Sequence, residues 1–376
     1  MKKEVIYFMP DNPMTGKAGN TTRLNQMLSY FDKNENLSVH YVSLEDWGDW
    51  KKEDLLAFRL KFPKLKLRLL NKKHKKEYLK YFFLYKIPYL LKRNSIDISS
   101  YILRRDFTKI LNSKKFDIVI ISYALWGKLI EKIPYDTYKI LDTHDFITGQ
   151  CKNRKSEVGK LFGDEIDILK NFDEIWTYST EEQYIFEQFT DKKVTLIPVS
   201  FPINFNNQST EKKYDAIYVA SNNPHNISGI NWFINEVMPF LNNVNIHVVG
   251  KIGEYIADHK NIIKHGIVDD LTDFYLNSKI AICPMLSGTG IKIKVVEALS
   301  HGVPVITNRR GVDGLLNKRD NGCIVTDDPE IFAEQMMRLL HDKNYYSEIK
   351  QKAHHYYIEN HDPKLELNIL NKIFNK

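Results

Sequence analysis

The chain has 376 residues, 43% hydrophobic and 27% charged, with a formal net charge of +7. This is enough apolar material for two packed domains of ordinary size, and it excludes global disorder. The cysteines, Cys151, Cys283 and Cys323, are far apart, with no CxxC and no metal-ligand spacing, which excludes a disulfide framework or structural zinc and points to a reducing cytosol.

Taken in chain order, "MKKEVIYFMPDNP" comes first. Its apolar run Val5–Met9 is too short for a secretory core and stops at Pro10–Asp11, so it reads as a first buried strand. No run of about 18 apolar residues follows, and no membrane-spanning helix is predicted. Further strand patterns are "LSVHYVSL", "FDIVIISYA", "YKILDTHD", "DEIWTYS" and "KVTLIPV". After residue 212 come "YDAIYVAS", "VNIHVVG", "NIIKHGIV", "IAICPML", "VPVITN" and "GCIVTD". Longer helical stretches separate them, the signature of parallel sheets covered by helices. The polar, Asn-rich stretch 200–213 divides the series. The expected organisation is a first domain over 1–199, a linker over 200–211, a second domain over 212–354, and a C-terminal helix over 355–376 that returns to the first domain.

A basic helical insertion is expected at about 51–110. Its centre, 61–93, holds twelve Lys or Arg and one acid, Glu77, among leucines and aromatics, with interruptions at Pro63 and Pro88. One reading is a solvated helical face. The other is a patch that rests on anionic lipid, where each basic residue is worth roughly 1 kcal/mol. No nucleic-acid-binding signature accompanies it.

The richest stretch for chemistry is "SGTGIKIKVVEALSHGVPVIT", residues 287–307. Gly288 and Gly290 permit positive φ and a close backbone approach. The helix that opens after them presents free N–H groups and its positive dipole end, an anion site. Lys294, inside the first turn, reaches back towards that anion. Glu297 follows at i+3 on the same face. It repels phosphate but accepts both hydroxyl protons of a ribose. A nucleotide lying along the helix fits this order. The bland alternative is a Gly turn beside a surface Lys–Glu pair worth a few tenths of a kcal/mol. The segment is not a Walker A loop.

His144, in "DTHD", ends a strand of the first half, where ligand-facing residues of open sheets gather. Asp142 is expected to face the packed side and Asp145 to be the polar partner. "GVDGL" (311–315) reads as a turn. "VVGKIGEYI" falls short of GxGxxG, which speaks against a dehydrogenase. His247, His265 and His301 share no metal spacing.

"GTGIKIKVVEALSHGVPVITN" resembles the group 1 glycosyltransferases of the GT-B fold, in the branch with a Gly-Thr-Gly turn and K-V-x-E-A before G-x-P-V. "YDAIYVASNNPHNISGINWFINEVMPFL" is similar to the family's first strand, loop and helix of the donor domain, and "VNIHVVGK" and "IIKHGIVDDLTDFYLNSKIAICPM" to its next strands. "PMTGKAGNTTRLNQML" resembles the loop after strand one, with Gly19 and Arg23 as G-x-x-x-R, and "KILDTHD" the strand end bearing an active-site histidine. The resemblance implies two Rossmann-like doubly wound domains with a cleft between them. It also implies sugar transfer from a nucleotide-diphosphate sugar with retention of configuration, to a glycan or lipid-linked glycan, in cell-surface polysaccharide synthesis.

It further implies His144, Lys294 and Glu297 as catalytic, with Glu297 at the ribose. Donor binding is implied at Gly19, Arg23, Ser221, Asn222, Gly266, Val268, Gly288, Thr289, Gly290, Ile291, Lys292, Lys294 and Glu297. Two departures shift the load. Thr289 replaces the first acid of the E-x7-E found in many relatives, and "SNNPHN" (221–226) replaces a loop with Arg and Lys. Lys292 and Lys294 must then carry more of the diphosphate charge. No cofactor, metal or nucleic acid is implied. The expected location is the cytoplasm, peripheral at the inner face of the membrane. A non-hydrolysing sugar-nucleotide epimerase and a non-catalytic nucleotide-sugar-binding partner protein are the alternatives.

Overall fold

A computed structural model describes residues 2–15, 19–75, 77–91, 95–133, 135–151, 157–205 and 212–374. The chain forms two compact units. The first comprises Met1–Thr177, Glu182–Leu196 and the C-terminal residues from Lys372, and the second Tyr178–Glu181 and Ile197–Asn371. Residues 206–211 of the expected linker lie outside the described residues.

The first unit is built on seven parallel strands: β1 (Lys3–Phe8), β2 (Leu37–Leu44), β3 (Lys66–Leu70), β4 (Ile118–Ser122), β5 (Tyr138–Asp142), β6 (Glu174–Thr177) and β7 (Lys193–Leu196). Their order is β3-β2-β1-β4-β5-β6-β7. The inner strands are buried on both faces, which is why they read as unbroken apolar runs. All five residues of β4 are buried. Phe8, Phe107, Trp126 and Leu141 share its core. The last helix, Pro363–Phe374, brings Phe374 against Tyr30, Phe31 and Trp176.

The second unit has six parallel strands: β8 (Tyr214–Val219), β9 (Ile246–Val249), β10 (Ile262–Gly266), β11 (Ser278–Cys283), β12 (Val305–Thr307) and β13 (Cys323–Val325). They run in the order β10-β9-β8-β11-β12-β13. Both sheets are wound in two directions from an inner strand, so each has a point where the strand order reverses. At such points the carboxyl ends of the strands open into a ligand-binding crevice.

The structure corrects the basic segment. Lys66–Leu70 is not helical but the edge strand β3, paired in parallel with β2. The alternation Leu65, Lys66, Leu67, Arg68, Leu69 has period two, which a strand satisfies and a helix does not. Exposed lysine on an edge strand also blocks further pairing. Helix returns from Tyr78 to Leu91 and widens to a π-helical turn over Tyr81–Lys86. Pro88 lies inside this run rather than ending it. A π turn accommodates the donor that proline lacks.

Lys72 is not a surface lysine. It is 5% exposed, with its ammonium 5.0 Å from the Trp47 ring centroid and 4.9 Å from that of Trp126. The backbone N–H groups of Lys72 and Lys73 donate to the two carboxylate oxygens of Asp46, each at 2.8 Å. Lys76, Lys92 and Arg93 lie outside the described residues.

Candidate functional site

The order of the second sheet reverses between β8 and β11. The loop Pro284–Lys292 leaves β11 there and leads into the Ile293–Ser300 helix. Gly288 and Gly290 have φ of 102° and 70°, which side-chain-bearing residues rarely adopt. Lys292, the N-cap, is buried, and its Nζ donates to the carbonyls of Thr289 at 3.2 Å and Gly290 at 2.6 Å. Its charge sits in the turn as the sequence suggested, but these bonds turn the ammonium onto the turn's own backbone. Ile291 lies beneath the "GVDGL" segment: a Cβ placed on Gly314 would be 2.7 Å from the Ile291 Cα. That turn is therefore a brace for the glycine loop as well as a reversal of the chain.

Lys294 is half-buried and donates from Nζ to Asn226 Oδ1 at 2.7 Å. Its ammonium lies 5.0 Å from the Tyr218 ring centroid. Asn226 belongs to the Pro224–Trp232 helix that follows β8. Its amide nitrogen donates to the Ser221 carbonyl at 2.9 Å, which leaves its oxygen for the lysine. Burial, and secondarily the Lys292 charge, lower the pKa of Lys294. A cation is thus held in a desolvated place by a neutral amide and a ring face, an arrangement that attracts an anion. Beside it, His225 Nδ1 and Ser287 Oγ are 2.7 Å apart. These two hydrogen bonds join the "SNNPHN" loop to the glycine turn across the reversal point. Sequence reasoning missed both Asn226 and His225: in that stretch it singled out Ser221 and Asn222 and noted the missing Arg and Lys.

The contact between the two elements is close. A Cβ on Gly229 would lie 1.8 Å from the Pro284 carbonyl oxygen. Gly229→Ala should therefore overpack this seam and cost about 1–3 kcal/mol, read as a lower Tm. An unchanged Tm would show that the seam is not tightly packed.

Glu297 stands one turn after Lys294 and is half-buried. Its Oε2 accepts from the Tyr275 hydroxyl at 3.3 Å. Burial pushes its pKa up to about 7, Asp270 adds to the rise, and the Tyr275 hydrogen bond opposes it. The next turn packs onto the same wall, where the His301 ring stacks on Tyr275 at 5.0 Å and its Nδ1–H donates to the Glu297 carbonyl at 2.8 Å. Gly266 ends β10 with φ 68° after an irregularity in register, and Val268 follows half-buried. Ser221 and Asn222 are exposed beyond β8, and Asn222 Nδ2 donates to the Tyr255 hydroxyl at 3.3 Å.

In the first unit, His144 follows β5 with φ 50°. Its Nε2 is 3.2 Å from Asp142 Oδ2, and its ring stacks on Tyr123 with centroids 4.4 Å apart. Asp142 is buried, as expected of a packed-side residue, and also accepts from Ser122 Oγ at 3.1 Å. It nevertheless reaches the histidine, because the left-handed backbone at His144 folds the ring back over the strand end. The sequence reading had reserved that contact for Asp145. Gly19 opens the Gly19–Lys33 helix, and Arg23 within it is 4% exposed. Among the described residues no cluster of three or more His, Cys, Asp or Glu has metal-binding geometry, and no helix is long and apolar enough to cross a membrane.

Residues 213–342 match the family model described as "Glycosyl transferases group 1". A Klebsiella pneumoniae relative, "Uncharacterized 44.6 kDa protein in cps region", is 24% identical over 157 residues, which span 38% of this chain and 40% of that protein's own length. Among solved structures, Anabaena Alr3699/HepE in complex with UDP and glucose superposes with a TM-score of 0.70 at 11% identity, covering 100% of both chains. Sucrose-phosphate synthase from Thermosynechococcus elongatus gives 0.69 at 11% identity, covering 100% of this chain and 98% of its own. Identities this low carry the fold alone. Residues 213–342 are thus a group 1 glycosyltransferase domain, within a chain of GT-B glycosyltransferase fold.

Proposed function

We propose that the protein transfers a sugar, with retention of configuration, from a nucleotide-diphosphate sugar to a glycan or lipid-linked glycan acceptor in cell-surface polysaccharide synthesis. The observation that carries this reading is Lys294, a desolvated cation with a neutral partner at the start of a helix, one turn ahead of Glu297. The diphosphate lies against the Gly288–Ile291 turn and Lys294, with Lys292 holding the turn in shape. Glu297 takes the ribose hydroxyls, and Gly266, Val268, Ser221 and Asn222 border the base and phosphates. For the first unit the resemblance assigns Gly19 and Arg23 to phosphate and His144 to a sugar or acceptor, and the proposal includes those roles. The bond from the anomeric carbon to the phosphate oxygen breaks as the acceptor oxygen bonds to that carbon on the same face. The acceptor's proton passes to the departing phosphate oxygen. Fixed positive charge at the leaving group supplies a few kcal/mol per well-placed donor. Support comes from a neighbour of the same fold that binds UDP and glucose, and from a relative encoded in a cps region.

Product analysis tests the reading. A transferase gives glycoside, or free sugar with water as acceptor, plus nucleoside diphosphate. An epimerase converts the donor with no acceptor and no net diphosphate release, and that result would replace the proposal.

The proposal includes a cytoplasmic location with peripheral contact at the inner face of the membrane. Tyr78, Leu79, Phe83 and Leu90 are 58–72% exposed along the Tyr78–Leu91 run, beside exposed Lys75, Lys80 and Lys86. Such a surface gains from apolar insertion and from attraction to anionic lipid, which is screened over about 8 Å at physiological salt. The protein should sediment with anionic vesicles at low salt and be released near ~0.5 M, where screening is stronger still. Lys75→Gln with Lys86→Gln and Phe83→Ser should abolish sedimentation. Lys72 is excluded from this test, since replacing it would disturb the tryptophan pair that encloses it. Indifference to anionic vesicles at every salt concentration would remove the membrane from the proposal.

A further inference from the structure

The loop that carries His144 is anchored from behind by two acids that the sequence did not single out. Glu165, on the Val158–Leu169 helix, is 0% exposed, and Glu182, on the Thr180–Phe189 helix, is 3% exposed. Glu182 Oε1 accepts from the Phe146 N–H at 3.0 Å. Glu165 Oε1 accepts from the Ile147 N–H at 2.9 Å, and its Oε2 from the Thr148 N–H at 2.8 Å and the Thr148 hydroxyl at 2.6 Å. Three consecutive backbone donors after His144 and Asp145, the N-cap and first two residues of the short Ile147–Gln150 helix, therefore end on two buried carboxyl groups. Burying a carboxyl group without need is costly.

We propose that Glu165 and Glu182 are positioning residues for His144, clamping the 146–148 backbone so that the imidazole stays folded against Asp142 and Tyr123. The inference rests on the reading of His144 as a substrate contact.

The two acids play unlike parts. Among the described residues Glu165 meets a backbone N–H on each oxygen, so both oxygens must accept whatever its protonation, which burial shifts towards the neutral form here too. Glu182 faces one N–H and, on its other oxygen, the Thr177 hydroxyl at 3.0 Å, a group able to donate or accept. A neutral acid or an amide satisfies that pair. Burial and the nearby Asp145 push Glu182 up to about 8, in keeping with the neutral form.

Glutamine should therefore replace one acid and not the other. With the nucleotide sugar that the wild-type protein turns over fastest among UDP-, GDP- and dTDP-sugars, Glu165→Gln and Glu182→Ala are each expected to lower kcat by about tenfold or more, the loss of hydrogen bonds to a buried acceptor. Their UDP affinity should stay within about twofold of wild type, since the bonds of both acids go to Phe146, Ile147, Thr148 and Thr177 and to no residue assigned to the nucleotide. Glu182→Gln should restore most of the kcat lost in Glu182→Ala. Unchanged kcat in Glu165→Gln, or equal behaviour of the two glutamine variants, would overturn the inference. Amide hydrogen exchange in the wild-type protein gives an arm that needs neither turnover nor a foldable variant. Phe146, Ile147 and Thr148 should be protected to the level of β5, and exchange at the rate of an open loop would overturn the clamp. A wild-type protein that turns over no nucleotide sugar would defeat the proposed function, and the exchange arm would then decide this inference by itself.

Discussion

Lys294→Ala is expected to lower turnover by about two orders of magnitude while leaving the fold intact, because it removes the charge proposed to face the leaving diphosphate. The partner of this ammonium is a neutral amide oxygen, and burial already works against its charge. Its removal leaves no buried carboxylate unpaired, so Tm should hold or rise slightly. A group that serves only packing would show the reverse, a lower Tm with normal kinetics. Lys294→Met, which keeps the apolar stem over Tyr218, should be as inactive as the alanine variant. Steady-state kinetics with thermal melts on both variants would check this, and kinetics like the wild type would defeat the assignment.

Glu297→Ala is expected to weaken nucleotide-sugar binding by about 1.5–3 kcal/mol, the loss of hydrogen bonds to a charged group. A pH dependence accompanies it. In the proposed site the ribose hydroxyls donate to the Glu297 carboxylate, and burial pushes the pKa of that group up to about 7. A nucleotide-diphosphate sugar has both phosphates esterified and does not itself titrate near neutrality. Its affinity should therefore rise between pH 6 and pH 8 in the wild type and stay flat in Glu297→Gln. Stability should move the opposite way. The folded pKa lies above the ordinary value of 4.5. The stabilising contribution is thus full below about 4.5 and is lost as pH rises through about 7. Glu297→Gln should accordingly melt higher than wild type at pH 8 and no higher at pH 4.5. A site residue that lowers stability in order to bind is a familiar trade. Calorimetry and melts across that range would measure both effects, and pH-independent binding by the wild type would place ribose recognition elsewhere.

The strands of this fold were legible because parallel strands buried on both faces must be apolar throughout. Val5–Met9 and the run at Ile118–Ile121 admit little else. β3 was hidden because an edge strand carries lysine and arginine outward, and a basic alternating run resembles a basic amphipathic helix unless its period is counted. The glycine turn, Lys294 and Glu297 were legible as a spacing along one helix. Their environment was not. Asn226 meets Lys294 only because two parallel strands 64 residues apart in first position (Tyr214 and Ser278) lie side by side. Glu165 and Glu182 looked like ordinary helix acids, since nothing local marks a residue as the acceptor for a loop formed well before it in the chain. Lys72 shows the converse error: composition counted its charge, and tertiary packing enclosed it.

The most direct test of the nucleotide site is a thermal-shift screen of the wild-type protein with UDP-, GDP- and dTDP-sugars and the matching diphosphates. A ligand at about 100 times its Kd stabilises by about 2.7 kcal/mol. At least one base should raise Tm by several degrees, and Lys294→Ala and Glu297→Ala should each diminish that rise. If no nucleotide moves Tm in the wild type, the second unit does not hold a nucleotide-diphosphate sugar, and the account of Lys294 and Glu297 fails with it.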